Sequence, residues 1–277
     1  MIPRANITAW RRHAPWSTDA QVEQDLVLSR AIVEIYSDPV LSARLAFRGG
    51  TALHKLHLSP ALRYSEDIDL VQVQAGPIGP VMTALHARLD PWLGEPRRKQ
   101  SEGRMTFIYR FDSEIRPVTP LRLKVEVNTR EHFTVFGLVR KAVAIDNPWF
   151  TGQAEVVTYA IEELLGTKLR AFYQRKKGRD LFDLAVSLAR HPDLDAGQTV
   201  DCFQRYMENM GAAVSRAEFE ANVAEKLGDP AFHSDIAPLL AIADAGKHPF
   251  DVAVSAEAVM TRFIARLPGE PWKGRHE

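Results

Sequence analysis

The sequence predicts an α+β protein of two lobes: a mixed sheet flanked by helices over residues 1–157, entered through an N-terminal helical extension, and a helical bundle over residues 158–277. Length is the first ground, because 277 residues exceed the roughly 100–150 typical of one domain. A change of period is the second. Apolar residues alternate in LRLKVEVNTR, whereas after Tyr159 they recur at helical spacing in segment after segment. Composition is the third: 45% hydrophobic and 25% charged residues supply real cores without the bias of a disordered or fibrous chain.

Residues 22–47, VEQDLVLSRAIVEIYSDPVLSARLAF, place Leu26, Ala31, Ile32 and Ile35 on one stripe and break at Asp38-Pro39. This predicts one or two helices running up to a glycine pair. TALHKLHL makes a short helix with Leu53 and Leu56 on one side, ended or kinked by Pro60. The alternation from Arg63 to Gln72 predicts a strand, and GPIGPVMTALHARLDPWL a helix set off by proline and glycine. MTFIYRF and LRLKVEVNTR are two more strands. The second points Leu121, Leu123, Val125 and Val127 to one face and Lys124, Glu126 and Asn128 to the other. Beyond Tyr159, helices are expected in IEELLGTKLRAFYQRK, RDLFDLAVSLAR, CFQRYMENM, SRAEFEANVAEKLG and SAEAVMTRFIARL, with Ser215 and Glu218 as a capping box for the fourth. The tail after Pro268 reads as a frayed end.

A single cysteine, Cys202, rules out an intramolecular disulfide and a cysteine-rich zinc site. The N-terminal segment has no apolar signal core, and no segment supplies about 18 consecutive apolar residues for a membrane span. A cytoplasmic protein without a membrane partner is therefore expected. Lysine plus arginine equals aspartate plus glutamate at 35 each, so net charge announces no nucleic-acid partner. Local basic clusters do exist, at Arg11-Arg12, at Arg97-Arg98-Lys99, and at Arg175, Lys176, Lys177 and Arg179; each is either solvated surface or a phosphate contact.

The chemistry is sought in RYSEDIDLV. An extended chain there sets Ser65, Asp67 and Asp69 on one face and Ile68 and Leu70 on the other. Two carboxylates two residues apart repel each other unless a cation lies between them, and a hard ion such as magnesium suits oxygen ligands. Glu126, on the polar face of its own strand, would be the third acid if the strands are neighbours. Such a site can neutralise phosphates and activate a hydroxyl, which is the work of phosphoryl transfer. Ordinary strand-end acids and a solvated glutamate are the competing account.

Gly49 and Gly50 precede the helix at Thr51, so bare backbone and unpaired amides can meet a phosphate there, with Thr51 capping or bonding the same oxygens. Turns use glycine pairs too, and this one completes neither a Walker sequence nor a dinucleotide fingerprint. In the helical lobe, Lys168 stands one turn from Leu164 and Phe172, fit either to clamp a phosphate or to snorkel to the surface. Asp180 suits a helix N-terminus electrostatically. Asp183, between two apolar residues, can orient Lys168 or Arg179 or position an acceptor hydroxyl. His54 and His57 complete no metal motif, no serine or cysteine triad is present, and Trp10, Trp16, Trp92 and Trp149 are assigned to packing before base stacking.

Taken together, FRGGTALHKL, RYSEDIDL, LKVEVN and EELLGTKLRAFYQRKKGRDLFDL resemble the AbiEii/AbiGii toxin family of nucleotidyltransferases, within the DNA polymerase beta-like superfamily, over roughly residues 25–190. The resemblance implies a polymerase beta-like nucleotidyltransferase lobe, a C-terminal helical lobe and an active site between them. It assigns Gly49, Gly50, Ser65, Asp67 and Asp69 to the first motif, Lys168 to the family's lysine, and Asp180 and Asp183 to the later acidic motif. Glu126 takes the place of the third carboxylate, where the superfamily more often has aspartate, which leaves the metal count open. Asp67, Asp69 and Glu126 are then the metal ligands. The catalytic set is those three with Lys168 and Asp183. Gly49, Gly50, Thr51, Ser65, Lys168, Arg179 and Asp180 bind the nucleotide. The implied cofactor is Mg2+, or Mn2+, and the co-substrate a nucleoside triphosphate. The implied partners are a transfer RNA or other RNA acceptor and an antitoxin encoded nearby. Transfer to a protein or small molecule, an inactive interaction module and simple phosphohydrolysis are the other functions these residues allow.

Overall fold

Two units, Met1–Tyr159 with Leu239–Ala243 and Ala160–Pro238 with Asp244–Glu277, make up the computed structural model, which describes residues 2–241 and 250–274. In the first unit, α1 (Arg4–Trp10) leads to α2 (Asp19–Tyr36). Thr18 and Gln21 form a capping box that starts α2. The break read at Asp38-Pro39 is real: the Asp38 carboxylate accepts from the Val40 and Leu41 amides at 2.9 and 3.1 Å, and proline opens α3 (Pro39–Arg44).

Sequence reasoning carried helix through Phe47, but Leu45–Arg48 is a strand, β1. Leu45, Ala46 and Phe47 are wholly buried because β1 lies inside the sheet, paired antiparallel to β2 (Asp67–Gln72) and parallel to β7 (Phe150–Tyr159). A buried apolar run of three residues, closed by Arg48, has no period of its own, so only its neighbours select the extended form. Helix α4 (Gly49–Leu56) follows at once. The strand read over Arg63–Gln72 is also shorter than expected. Residues 63–66 lie outside β2, where the Tyr64 amide donates to Leu239 at 2.8 Å and Arg63 bridges Leu240.

Helix α5 (Gly79–Leu93) and strands β3 (Arg97–Ser101), β4 (Arg104–Asp112), β5 (Pro120–Asn128) and β6 (Leu138–Asn147) complete the unit. The strands form one mixed seven-stranded sheet, ordered β3-β4-β5-β2-β1-β7-β6. Met105, Phe107 and Tyr109 share a face with Val127, Val125 and Leu123, their cross-strand partners. That face is covered by helices: α2 packs on β5 and β7, the Tyr109 hydroxyl donates to Asp90 of α5 at 3.0 Å, and His86 meets Phe107 edge-on.

Helices make the second unit: α6 (Ile161–Gln174), α7 (Gly178–Arg190), α8 (Ala196–Glu208), α9 (Arg216–Leu227), α10 (Pro230–Ser234) and α11 (Val252–Arg262). Phe172, Phe203 and Phe232 gather in its core, with Phe219 between 5.5 and 5.8 Å from two of them. The Ser215–Glu218 capping box is present. The tail is less free than expected. Pro268 accepts from the Arg216 amide at 2.8 Å and the Trp272 amide donates to Glu220 at 2.7 Å, while residues 275–277 lie outside the described part.

Candidate active site

The turn from β1 into α4 needs a residue without a side chain. Gly49 has φ +82°, and a Cβ there would lie 2.4 Å from Asp69 Oδ2, so the carboxylate of β2 rests directly on this backbone. From the first turn of α4, Thr51 donates its hydroxyl to the Asp67 carbonyl at 2.6 Å. Its single proton thus spent, it accepts from Ser65 at 2.7 Å. Behind, Lys55 of α4 binds both oxygens of Asp25 at 3.1 Å, and the same buried carboxylate accepts from the Trp10 and Trp16 indoles at 2.9 and 3.2 Å. The helix that carries the glycines is therefore fixed to α2 and to the N-terminal segment, and these two tryptophans are structural.

Strands β2 and β5 run parallel, with Asp69 opposite Glu126 and Asp67 opposite Lys124. Residues opposite each other share a face. Burial first, then the charges of Asp67 and Glu126, push the Asp69 carboxyl above the usual carboxylate range, against Lys124 and Arg48. Lys124 lies among these acids, 3.1 Å from Asp67 Oδ2 and 3.3 Å from Glu126 Oε2. Burial alone would lower its pKa, but Asp67 and Glu126 outweigh that and raise it. Arg104 of β4 holds the other Glu126 oxygen at 3.0 Å. Arg48, opposite Asp69, pairs with Glu131.

Can these residues hold a divalent cation? Asp67 Oδ1 is buried with no hydrogen-bond partner, and Asp69 ionises against two acidic neighbours, so both carboxylates suit one. Among the described residues, however, no three acidic, histidine or cysteine side chains are arranged to close on a metal ion. Glu126 stands beside Asp69 as expected but is bound by Arg104 and Lys124. Neither cation was assigned a role from sequence. The signal for Lys124 was its alternation with Glu126; Arg104 comes from another strand and left none.

In the second unit, Lys168, Asp180 and Asp183 are buried together. Lys168 Nζ lies 3.1 Å from Asp180 Oδ1 and 2.9 Å from Asp183 Oδ2. Arg175 donates to both Asp180 oxygens at 2.6 and 2.8 Å. Burial would raise the Asp180 pKa, yet Lys168 and Arg175 hold it below the ordinary value. The guanidinium on Asp180 therefore belongs to Arg175, while the Arg179 amide donates to Asp235 at 3.2 Å. The basic cluster at 175–179 is largely neutralised: Lys176 pairs with Glu225 and Lys177 with Asp235. Of the remaining candidates, His54 is buried and accepts from the Leu62 amide at 3.4 Å, and Arg30 sits over Trp92 and Trp149 at 4.1 and 4.8 Å.

Acids on adjacent strands beside a glycine turn into a helix offer cation ligands next to free amides, the two kinds of group that phosphoryl transfer requires. The family model described as nucleotidyl transferase AbiEii toxin, type IV toxin–antitoxin system, matches residues 30–256. The chain belongs to the AbiEii family. It is thus a nucleotidyltransferase of the toxin class, a family that works on nucleoside triphosphates, generally with a divalent metal, and has antitoxin partners. Among solved structures, the AbiEii chain is similar to MenT4, a nucleotidyltransferase toxin from Mycobacterium tuberculosis, at 15% identity and TM-score 0.57, over 97% of this chain and 91% of that one. It is similar also to a putative nucleotidyltransferase from H. pylori at 17% identity and TM-score 0.52, over 88% and 93% of the two chains. At these identities the likeness shows the nucleotidyltransferase fold. No curated protein matches the chain in sequence. Among the described residues no helix is long and apolar enough to cross a membrane.

Proposed function

We propose that this AbiEii nucleotidyltransferase uses Mg2+ or Mn2+ to move a nucleoside monophosphate from a nucleoside triphosphate to the 3' hydroxyl of an RNA, with the transfer RNA 3' end as acceptor. The observation that carries this reading is the strand register that sets Asp69 against Glu126 and one step from Asp67, whose Oδ1 is buried without a hydrogen-bond partner. Asp67 and Asp69, with Glu126 beside them, would hold the ion. When bound, it neutralises charge on the reacting phosphate and acidifies the acceptor hydroxyl.

The chain's own residues supply the rest. Gly49, Gly50 and Thr51 present the amides of the first turn of α4 to the triphosphate, and the Thr51 hydroxyl, donating to the Asp67 carbonyl, holds that turn against β2. Lys168, held between Asp180 and Asp183, would turn its remaining N–H to phosphate. Asp183 orients Lys168, Asp180 fixes it from the other side, and Arg179 reinforces the phosphate contact. The acceptor hydroxyl gives up its proton to solvent, its oxygen forms a bond to the α-phosphorus as the α–β bridge breaks, and pyrophosphate leaves. The cytoplasm holds both triphosphate and RNA, and an antitoxin encoded nearby restrains the reaction.

Purified protein incubated with each labelled triphosphate and a total cell extract, with and without chelator, tests this. Label is expected in the RNA fraction, dependent on metal, and Asp67→Ala is expected to lower it by at least about 100-fold while the fold is retained. Label in the protein or metabolite fraction would reassign the acceptor. Undiminished turnover by the variant would overturn the site.

A further inference from the structure

Net charge is zero, yet the charges are not evenly spread over the sheet. The register Thr106↔Glu126, Ile108↔Lys124 and Arg110↔Arg122 puts the even-numbered side chains of β4 on the face that carries the acids. Lys99↔Thr106 and Arg97↔Ile108 extend that face to the sheet edge. Arg97, Lys99, Arg104, Arg110, Arg122 and Lys124 therefore lie on one side, spread from the carboxylates out to β3. All but Lys124, which is partly covered, are exposed. Arg104 and Lys124 are paired with the site acids and Arg122 with Glu66 at 3.5 Å, while no ion pair is seen for Arg97, Lys99 or Arg110 among the described residues. Apart from the site acids, the register adds Asp112 at the far end of this face, and Glu66, just before β2, reaches Arg122. The opposite face carries Phe107 and Tyr109 against α5 and cannot receive a ligand.

We propose that this open face of β3, β4 and β5 is the track along which the phosphate backbone of a single-stranded nucleic acid runs, ending with its 3' hydroxyl at Asp67 and Asp69. The proposal rests on the transferase reading above and gives its acceptor a location. A strand of nucleic acid carries its charges in a line, which matches cations spread across three strands more closely than a compact anion would. Cations on an open edge also deter edge-to-edge pairing. Arg110 and Arg122, however, belong to strands already paired on both sides, where no such protection is needed. Of the other basic segments of the sequence, the one at 175–179 is engaged by Asp180, Glu225 and Asp235, and Arg11 pairs with Asp19.

Fluorescence anisotropy of a labelled single-stranded RNA oligonucleotide with a free 3' hydroxyl, read across a salt series, tests the track. The variant Arg97→Gln/Lys99→Gln/Arg110→Gln is compared with Arg98→Gln/Arg140→Gln/Lys141→Gln, which removes the same charge from the other face of β3 and from β6. The first is expected to weaken binding about tenfold or more and to flatten the logarithmic salt slope by about 2, as three lost phosphate contacts require. The second should remain near wild type. Equal effects of the two variants, wild-type affinity in the first, or no RNA binding by the native protein would overturn the proposal, as would capture of polyglutamate in place of RNA. Labelling of the same RNA from a triphosphate is recorded in parallel. Wild-type extension by the first variant at unchanged affinity removes the track and leaves the transferase standing; no labelling of any fraction by the native protein removes the transferase reading itself.

Discussion

Gly49 shows how much a single missing methyl group can decide. Its positive φ and the 2.4 Å approach of Asp69 Oδ2 to the position of a Cβ leave no room for alanine without moving the carboxylate. Gly49→Ala is expected to keep the fold and to lose about 100-fold in nucleotidyl transfer, since a displacement of about 1 Å at a reacting centre costs that much. Circular dichroism with a turnover assay checks both halves. Lys124 works on the two carboxylates beside Asp69. Its ammonium bonds Asp67 and Glu126 and stabilises the crowded acids. A divalent cation bound by Asp67 therefore competes with a built-in one, so Lys124→Met is expected to tighten Mn2+ binding several-fold in a titration by electron paramagnetic resonance. Weaker binding would show instead that Lys124 holds the acids in place for the ion.

At the scale of elements, the helical unit depends on close approaches at glycine, Gly166 among them. A Cβ at Gly166 of α6 would come within 2.7 Å of Cys202 Cβ and 2.9 Å of the Thr199 carbonyl on α8. The glycine costs helix propensity and gains a close approach of two backbones. Gly166→Val is expected to destabilise the protein by about 1–3 kcal/mol through overpacking, read as a lower urea midpoint at unchanged slope. The C-terminus of α6 is secured differently. Lys226 of α9, buried, donates to the carbonyls of Phe172 and Tyr173, the latter at 2.9 Å, and burial pushes its pKa down to about 8. No feature of the sequence near Phe172 announces this cap, because the lysine stands more than 50 residues downstream.

Across the whole molecule, the pH dependence of stability should carry the mark of Glu23. This α2 carboxyl is buried and accepts the Glu114 amide at 3.0 and 3.2 Å, and burial pushes its pKa up to about 7 from 4.5. Between those values the folded chain keeps a proton that the unfolded chain has released, so stability falls as pH rises through the window and levels off above about 7. Glu23→Gln, which cannot ionise, should gain on the wild type steadily from about pH 4.5 to 7 in paired urea titrations. A constant difference would show that Glu23 ionises at an ordinary value.

Much of this was legible in one dimension because it is local. The alternation of Asp67 and Asp69 with Ile68 and Leu70, the Asp38-Pro39 break, the Ser215–Glu218 cap and the helical period after Tyr159 each rest on neighbours within a few residues, as do the short motifs FRGGTALHKL, RYSEDIDL and LKVEVN that, with EELLGTKLRAFYQRKKGRDLFDL, resembled the AbiEii family. Only the tertiary structure decided the rest. It made a strand of Leu45–Arg48, whose extended form comes from hydrogen bonds to β2 and β7. It gave Asp180 to Arg175 while the Arg179 backbone amide went to Asp235, brought Lys124 and Arg104 onto Glu126, and drew the cations of three strands onto one face. Pairing across a sheet or between helices joins residues by register and packing. Those are set by burial of the whole apolar face and leave no trace in the spacing of any one segment.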